Sequence, residues 1–381
     1  MSVRILVADD SASFGRVLKQ TLETISGVEV AGLCRDGRTA VERMRRDMPD
    51  LLVVDMEMPE MNGIQVLETV RRERMKTSVV VVSSAGDRAR ELTMRALDLG
   101  ALDFISKPEM MLADVVAELR ARLAPLVQAA AHRRDVQNLL RRDPSAGRPA
   151  PPETLRLTPP PASGKAATPP PADAQALAAA TSRLMGITAR TKPSMALIGV
   201  STGGPEALGR VIPKLPAELR VPVLIVQHMP PLFTQNLAAK LDSCSALRVK
   251  EAEDGEIATA GFVYIAPGGK HLKVTAGAQQ QIVMRLTSDA PENNCRPAVD
   301  YLFRSVAAAF PGRSIAVILT GMGRDGVAGL QALKTAGCPS IAQDEASCTV
   351  FGMPKEAISA GVIDTIAPLD EISAEIAKAV R

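Results

Sequence analysis

The sequence predicts an α/β protein made of two doubly wound, mostly parallel sheets joined by a proline-rich linker. Three observations carry that prediction. Between Val3 and Leu123, short β-branched runs alternate repeatedly with amphipathic helical stretches. From Asp143 to Pro171 the chain is dense in Pro, Ala, Gly and Thr, a composition that buries too little apolar surface to fold. At Met195 the α/β alternation resumes. A length of 381 residues exceeds what one ordinary core organises. The chain therefore divides into a first domain (1–124), a linker (125–192) and a second domain (193–381).

Composition excludes several classes. Hydrophobic content of 46% with 23% charged residues is that of a globular protein, and no apolar run is long enough to span a bilayer. The N-terminus turns acidic at Asp9 and Asp10, too soon for a signal peptide, so a cytoplasmic location with no membrane insertion is expected. Cys34, Cys244, Cys295, Cys338 and Cys348 form no metal-ligand spacing, and an odd, scattered set suits reduced thiols. A net charge of +3, with no Trp and only 2 Tyr, argues against nucleic acid as a partner.

The first domain has strand candidates at Ile5–Ala8, Val28–Cys34, Leu51–Val54, Val79–Val82 and Asp103–Ile105, with helical patterns such as Arg38–Met48 and Arg88–Leu99 between them. Ligands of doubly wound sheets sit beyond the carboxyl ends of the strands. The residues there are Asp9 and Asp10, Asp55, Ser83 and Lys107. Three carboxylates on one sheet edge repel each other and call for a hard divalent cation, Mg²⁺ being the natural one. A lysine and a hydroxyl at the same edge can hold a phosphoryl group carried by a carboxylate. Singly, Asp9 or Asp10 could cap a helix and Lys107 could be a solvated strand end; the combination at five strand ends argues against that.

Residues 1–123 resemble the receiver domains of two-component response regulators. The resemblance implies Asp55 as phospho-acceptor, with Asp9, Asp10, Asp55 and Glu57 (through its carbonyl) around Mg²⁺. It casts Ser83 and Lys107 as switch hydroxyl and phosphate-contacting lysine. It also implies a cis proline at Lys107-Pro108 and a histidine kinase as phosphodonor.

In the linker, Ala129–Leu140 can prolong the last helix beyond Pro125, and Gln175–Met185 has helical potential without a clear face. Arg133-Arg134 and Arg141-Arg142 read as solvated charge. Nothing in the linker has the pattern of a helix-turn-helix, which counts against a transcription-factor output.

The second domain opens with an apolar strand, Met195–Val200, followed by Ser201-Thr202-Gly203-Gly204-Pro205. The glycines permit a tight turn and Pro205 suits a first helical turn. This lifts the Ser201 hydroxyl out of a strand end beside backbone N–H groups, the setting of a nucleophile with oxyanion donors; the alternative is a serine N-cap beside a glycine turn. A helix (Glu206–Leu215), a strand (Pro222–Val226), a helix (Phe233–Leu241) and a more antiparallel region (Gly261–Ile265, Leu272–Thr275, Gln281–Leu286) come next. The helix Ala298–Ala309, the strand Ser314–Leu319 and a helix to Ala336 complete the pattern. Ser201, His228 and Asp325 all fall just beyond predicted parallel strands. A serine needs a base, imidazole can serve, and a carboxylate fixes its tautomer. Of the 3 histidines, His132 lies in the linker, and His228 is preferred to its rival His271 because it directly follows an apolar parallel strand. The order Ser…His…Asp differs from the Ser…Asp…His of ordinary α/β-hydrolases.

Residues 195–381 look like the catalytic domain of the chemotaxis response-regulator protein-glutamate methylesterases. The shared runs are Gly199–Pro205, Gln227-His228-Met229-Pro230, Ile265–Gly269, Leu319–Gly326 and Ala342–Cys348. The resemblance implies hydrolysis of glutamyl methyl esters on methyl-accepting chemotaxis receptors with release of methanol, deamidation of receptor glutamines, and no cofactor in this domain. It assigns the oxyanion to the N–H groups of Thr202 and Met322. Where the family commonly has His-Arg-Pro, this chain has Cys295-Arg296-Pro297, read as the loss of a polar rim residue outside the triad. Two other readings stand beside this one: a receiver joined to a catalytically dead binding domain, and an esterase for small molecules.

Overall fold

The computed structural model describes residues 2–84, 86–107, 115–139 and 192–381. The proline-rich stretch, Gln175–Met185 and Pro108 lie outside these residues. Met1–Asp135 and Lys192–Arg381 belong to one compact unit.

The N-terminal sheet comprises β1 (Val3–Ala8), β2 (Val28–Cys34), β3 (Leu51–Asp55), β4 (Ser78–Ser83) and β5 (Asp103–Ser106), ordered β2-β1-β3-β4-β5. All its pairings are parallel. β3 and β4 are buried on both faces, which is why they read as continuous apolar runs instead of alternating ones. Helices α1 (Ala12–Glu23), α2 (Gly37–Asp47), α3 (Gly63–Arg72), α4 (Asp87–Asp98) and α5 (Val115–Leu139) cover the faces. Ser11 and Asp36 accept from the backbone N–H groups of Phe14 and Thr39, and Asn62 with Gln65 forms a capping box. α5 runs on through Pro125, as the pattern of Ala129–Leu140 allowed.

The C-terminal sheet has seven strands in the order β14-β13-β12-β6-β7-β9-β8. In chain order the elements are β6 (Met195–Val200), α6 (Gly204–Val211), β7 (Val223–Gln227), α7 (Phe233–Cys244), β8 (Arg248–Glu251), β9 (Phe262–Ile265), β10 (His271–Ala276), β11 (Ile282–Thr287), α8 (Val299–Ala309), β12 (Ser314–Ile318), α9 (Val327–Thr335), β13 (Ser340–Gln343), α10 (Met353–Ser359), β14 (Thr365–Ala367) and α11 (Ile372–Val380). The chain leaves β6 toward β7 on one side and returns as β12 on the other, so the topological switch point lies at β6. The antiparallel expectation is corrected in part. β10 and β11 form an antiparallel hairpin, but β9 runs parallel to both β7 and β8 within the main sheet. A short buried run carries no mark of its neighbours' direction, and proximity to the hairpin suggested the wrong one.

Among the described residues no helix is long and apolar enough to cross a membrane.

Candidate active site

Two strand-end pockets gather the candidate residues. In the first, the Lys107 ammonium meets Asp55 Oδ2 at 2.5 Å and Asp9 Oδ2 at 3.4 Å. The backbone N–H of Ser11 donates to Asp9 Oδ1 at 2.9 Å, and that of Glu57 to Asp55 Oδ1 at 3.3 Å. Carboxylate oxygens of Asp9, Asp10 and Asp55 come within 4.8 Å of one another. Burial, with the Asp55 charge adding to it and Lys107 opposing it, pushes the Asp9 carboxyl up to about 6. Burial also raises Asp55. Beyond its ion contact with Lys107, Asp9 Oδ2 has no hydrogen bond. A buried, under-paired oxygen in a set of three hard donors fits a small divalent cation. Ser83 ends the strand beside Asp55 and is bonded to α4. Its hydroxyl accepts from Thr93 at 2.8 Å and lies 3.3 Å from the Ala89 carbonyl, both on α4.

The second pocket lies at the ends of β6, β7 and β12. Val200 and Gln227 are register partners, so Ser201 and His228 leave adjacent strands side by side. Gly203, with φ of 76°, makes the turn into α6. The Ser201 carbonyl accepts from Gly204 N at 2.8 Å and from the buried Gln227 amide at 2.9 Å, while its N–H donates to the Thr320 carbonyl at 3.0 Å. Gly321 packs so closely that a Cβ there would lie 2.8 Å from the Ser201 Cβ. That contact brings the loop after β12 against the serine. Within the described residues, the N–H groups of Thr202 and Met322 have no hydrogen-bond partner, and neither does the Ser201 hydroxyl.

His228 Nε2 and Asp325 Oδ2 are 2.7 Å apart. Asp325 is 3% exposed and sits at the N-terminus of α8, where Val299 N donates to Oδ2 at 2.6 Å and Asp300 N to Oδ1 at 3.0 Å. Burial works against the charge on Asp325, but the imidazole and these helix N–H groups outweigh it and hold the carboxyl low. Burial likewise works against the cation on His228, and the bonds to Asp325 and Cys295 overcome it, so the imidazole is raised.

One reading of the sequence needs correction here, and the preference for His228 over His271 gains support. Cys295 is no rim residue: its thiol lies against the His228 imidazole. The rival His271 is a core residue, buried and stacked on Tyr301 at 4.3 Å, with Nε2 on the Ala290 carbonyl and Nδ1 accepting from Ala298 N. Sequence reasoning missed Gln227, Thr320 and Asn293 as supports of this site. Gln227 and Thr320 fall within runs shared with the family, and Asn293 left the turn-forming pair Asn293-Asn294, but none of these signals gave the supporting role.

The two domains are in contact. The Thr202 hydroxyl donates to Asp103 Oδ2 of β5 at 2.8 Å, Phe104 stacks on Phe233 at 4.6 Å, and Lys240 pairs with Asp98. Met322 and Val350 pack with the apolar cluster that contains Leu102 and Ile105. The N-terminal domain thus lies over the serine turn.

The chain matches the response regulator receiver domain family over residues 5–119 and the CheB methylesterase family over residues 196–376. It is 41% identical over 382 residues to the protein-glutamate methylesterase/protein-glutamine glutaminase of Desulfotalea psychrophila, covering 100% of this chain and 99% of that one. It belongs to that family. The protein of the same name from Bacillus subtilis is 38% identical over 384 residues, again covering 100% of this chain and 99% of the other. Among solved structures, the Thermotoga maritima CheB methylesterase catalytic domain matches at 45% identity with a TM-score of 0.48, over 49% of this chain and 99% of that one.

Proposed function

We propose that the chain is a cytoplasmic, phosphorylation-regulated hydrolase of glutamyl methyl esters on methyl-accepting chemotaxis receptors, and that it also deamidates receptor glutamines. The observation that carries this reading is the 2.7 Å His228–Asp325 pair beside the serine turn. Ser201 Oγ attacks the ester carbonyl as His228 takes its proton, and Asp325 stabilises the imidazolium. The N–H groups of Thr202 and Met322 hold the oxyanion. Collapse expels methanol, or ammonia from a glutamine, protonated by His228. Water then attacks the acyl-enzyme with His228 as base, and glutamate leaves.

In the receiver, Asp9, Asp10, Asp55 and the Glu57 carbonyl would hold Mg²⁺, which when bound offsets the charge of the carboxylates and of an incoming phosphoryl group. A histidine kinase supplies the phosphoryl group to Asp55, and Lys107 contacts it afterward. Ser83 must exchange its α4 partners to serve as the switch hydroxyl. The contacts of Asp103 and Phe104 support a restrained resting state, which phosphorylation of Asp55 relieves by shifting the docking equilibrium.

The test is methanol release from methylated receptor membranes, with and without a small phosphodonor and beside a generic chromogenic ester. Receptor turnover stimulated by the phosphodonor is the expected result. Turnover of the small ester alone would overturn the substrate assignment.

A further inference from the structure

The His228–Asp325 pair is backed by a turn that the mechanism above leaves unused. Glu292 and Cys295 exchange backbone hydrogen bonds of 3.0 and 2.8 Å across Asn293 and Asn294, whose φ angles are 52° and 60°. Two left-handed residues between a bonded pair make a tight two-residue hairpin, a conformation asparagine tolerates. Arg304 of α8 grips the Glu292 carboxylate with two bonds of 2.6 Å. The turn is thereby tied to the helix whose first N–H groups hold Asp325.

From this turn the Asn293 amide nitrogen reaches Asp325 Oδ1 at 2.9 Å and Asp300 Oδ2 at 3.0 Å. Asp300 is 4% exposed, and its other oxygen accepts from Gly329 N at 2.6 Å. A single NH₂ group, with one hydrogen for each side, thus bridges two buried carboxylates. Asp325 Oδ1 is saturated by Asn293 and the Asp300 N–H, which leaves Oδ2 to Val299 N and the imidazole.

We propose that Asn293 and Asp300 are positioning residues of the hydrolase: the Asn293 amide fixes the Asp325 carboxylate so that Oδ2 faces His228, and Asp300 anchors the amide. The inference rests on the hydrolytic reading of Ser201, His228 and Asp325. Without a donor between them, two neighbouring carboxylates repel or share a proton. A shared proton removes the charge that stabilises the imidazolium. Burial already holds the Asp300 carboxyl above its ordinary value, with the Asp325 charge adding to the effect.

The experiment compares the full chain with Asn293→Ala, Asn293→Asp, Asn293→Ala/Asp300→Asn and Ser201→Ala. It measures kcat and KM for methanol release against pH, with thermal melts for each variant. Asn293→Ala is expected to lower kcat by about ten- to a hundred-fold, the scale on which outer partners of a metal-bound histidine act, with KM little changed. Adding Asp300→Asn should return part of that loss by removing the competing charge. Asn293→Asp keeps the left-handed turn but sets an acceptor against two acceptors. Its deficit relative to the unaltered chain should shrink as pH falls and the new carboxyl gains a donor hydrogen. The titratable and ionic side chains facing the site (His228, Cys295, Glu292, Arg304, Asp300 and Asp325) are common to both of these chains, so their ratio isolates position 293. A folded Asn293→Asp chain with unaltered kcat at every pH would overturn the proposal, as would a loss confined to KM. Full activity of Ser201→Ala would instead remove the hydrolytic reading itself.

Discussion

At the residue scale, the raised imidazole of His228 has a direct kinetic consequence. An imidazolium accepts no proton from Ser201, so activity is present above the raised pKa and lost as pH falls through it. The acid limb of kcat/KM is expected above the ordinary histidine value of 6.5, and Cys295→Ala, which removes one of the raising contacts, should move it to lower pH. A limb that is complete below pH 6.5 and indifferent to Cys295 would contradict this. Asp9 carries the opposite lesson, of a residue kept at a cost to the fold. Its pKa is raised from 3.8 to about 6, so the folded chain holds that proton more tightly than the unfolded chain. Stability therefore falls as pH rises through this window, by up to about 3 kcal/mol. Asp9→Asn is expected to raise Tm at neutral pH and to shrink the further rise produced by Mg²⁺. A lower Tm, or an undiminished Mg²⁺ effect, would show that the carboxylate is not the strained partner of a cation.

At the element scale, α8 links packing to chemistry, because its first N–H groups hold Asp325 and its body packs against α9. A Cβ at Gly329 would lie 2.5 Å from the Phe303 Cβ and 3.2 Å from the Asp300 Cα. Gly329→Ala should therefore cost about 1–3 kcal/mol in denaturant unfolding and disturb Asp300; a neutral result would mean that the two helices separate freely. The strands that carry Ser201 and Asp55 were legible because strands buried on both faces of a parallel sheet are unbroken apolar runs with chemistry at their ends. Other elements were hidden for physical reasons. β8, Arg248–Glu251, is a short edge strand of mixed polarity, and the direction of β9 is fixed by partners remote in the chain. Asn293 reads locally as a turn residue, and its reach to Asp325 exists only once α8 and the hairpin have packed. The partners of Ser83 on α4 are equally a product of the folded state.

At the scale of the whole molecule, the receiver packs on the second domain around the serine turn, with Thr202–Asp103 and Phe104–Phe233 as specific contacts. Burial raises the Asp103 carboxyl, so its bond to Thr202 is held in a poorly solvated seam. Loosening that seam should release activity without any phosphodonor. Asp103→Ala or Phe104→Ala is expected to raise basal methanol release several-fold, for roughly 1 kcal/mol of lost docking energy. An unchanged or lower basal rate would mean that the seam does not restrain the enzyme.

The claim beneath all three scales is that one serine, activated by the His228–Asp325 pair, performs the chemistry. The most direct measurement is methanol release from methylated receptor membranes by the purified full chain and by Ser201→Ala. Turnover is expected to fall by several orders of magnitude, on the scale of about 10³ to 10⁶ for losses of a triad nucleophile. Near-normal release by Ser201→Ala would contradict it.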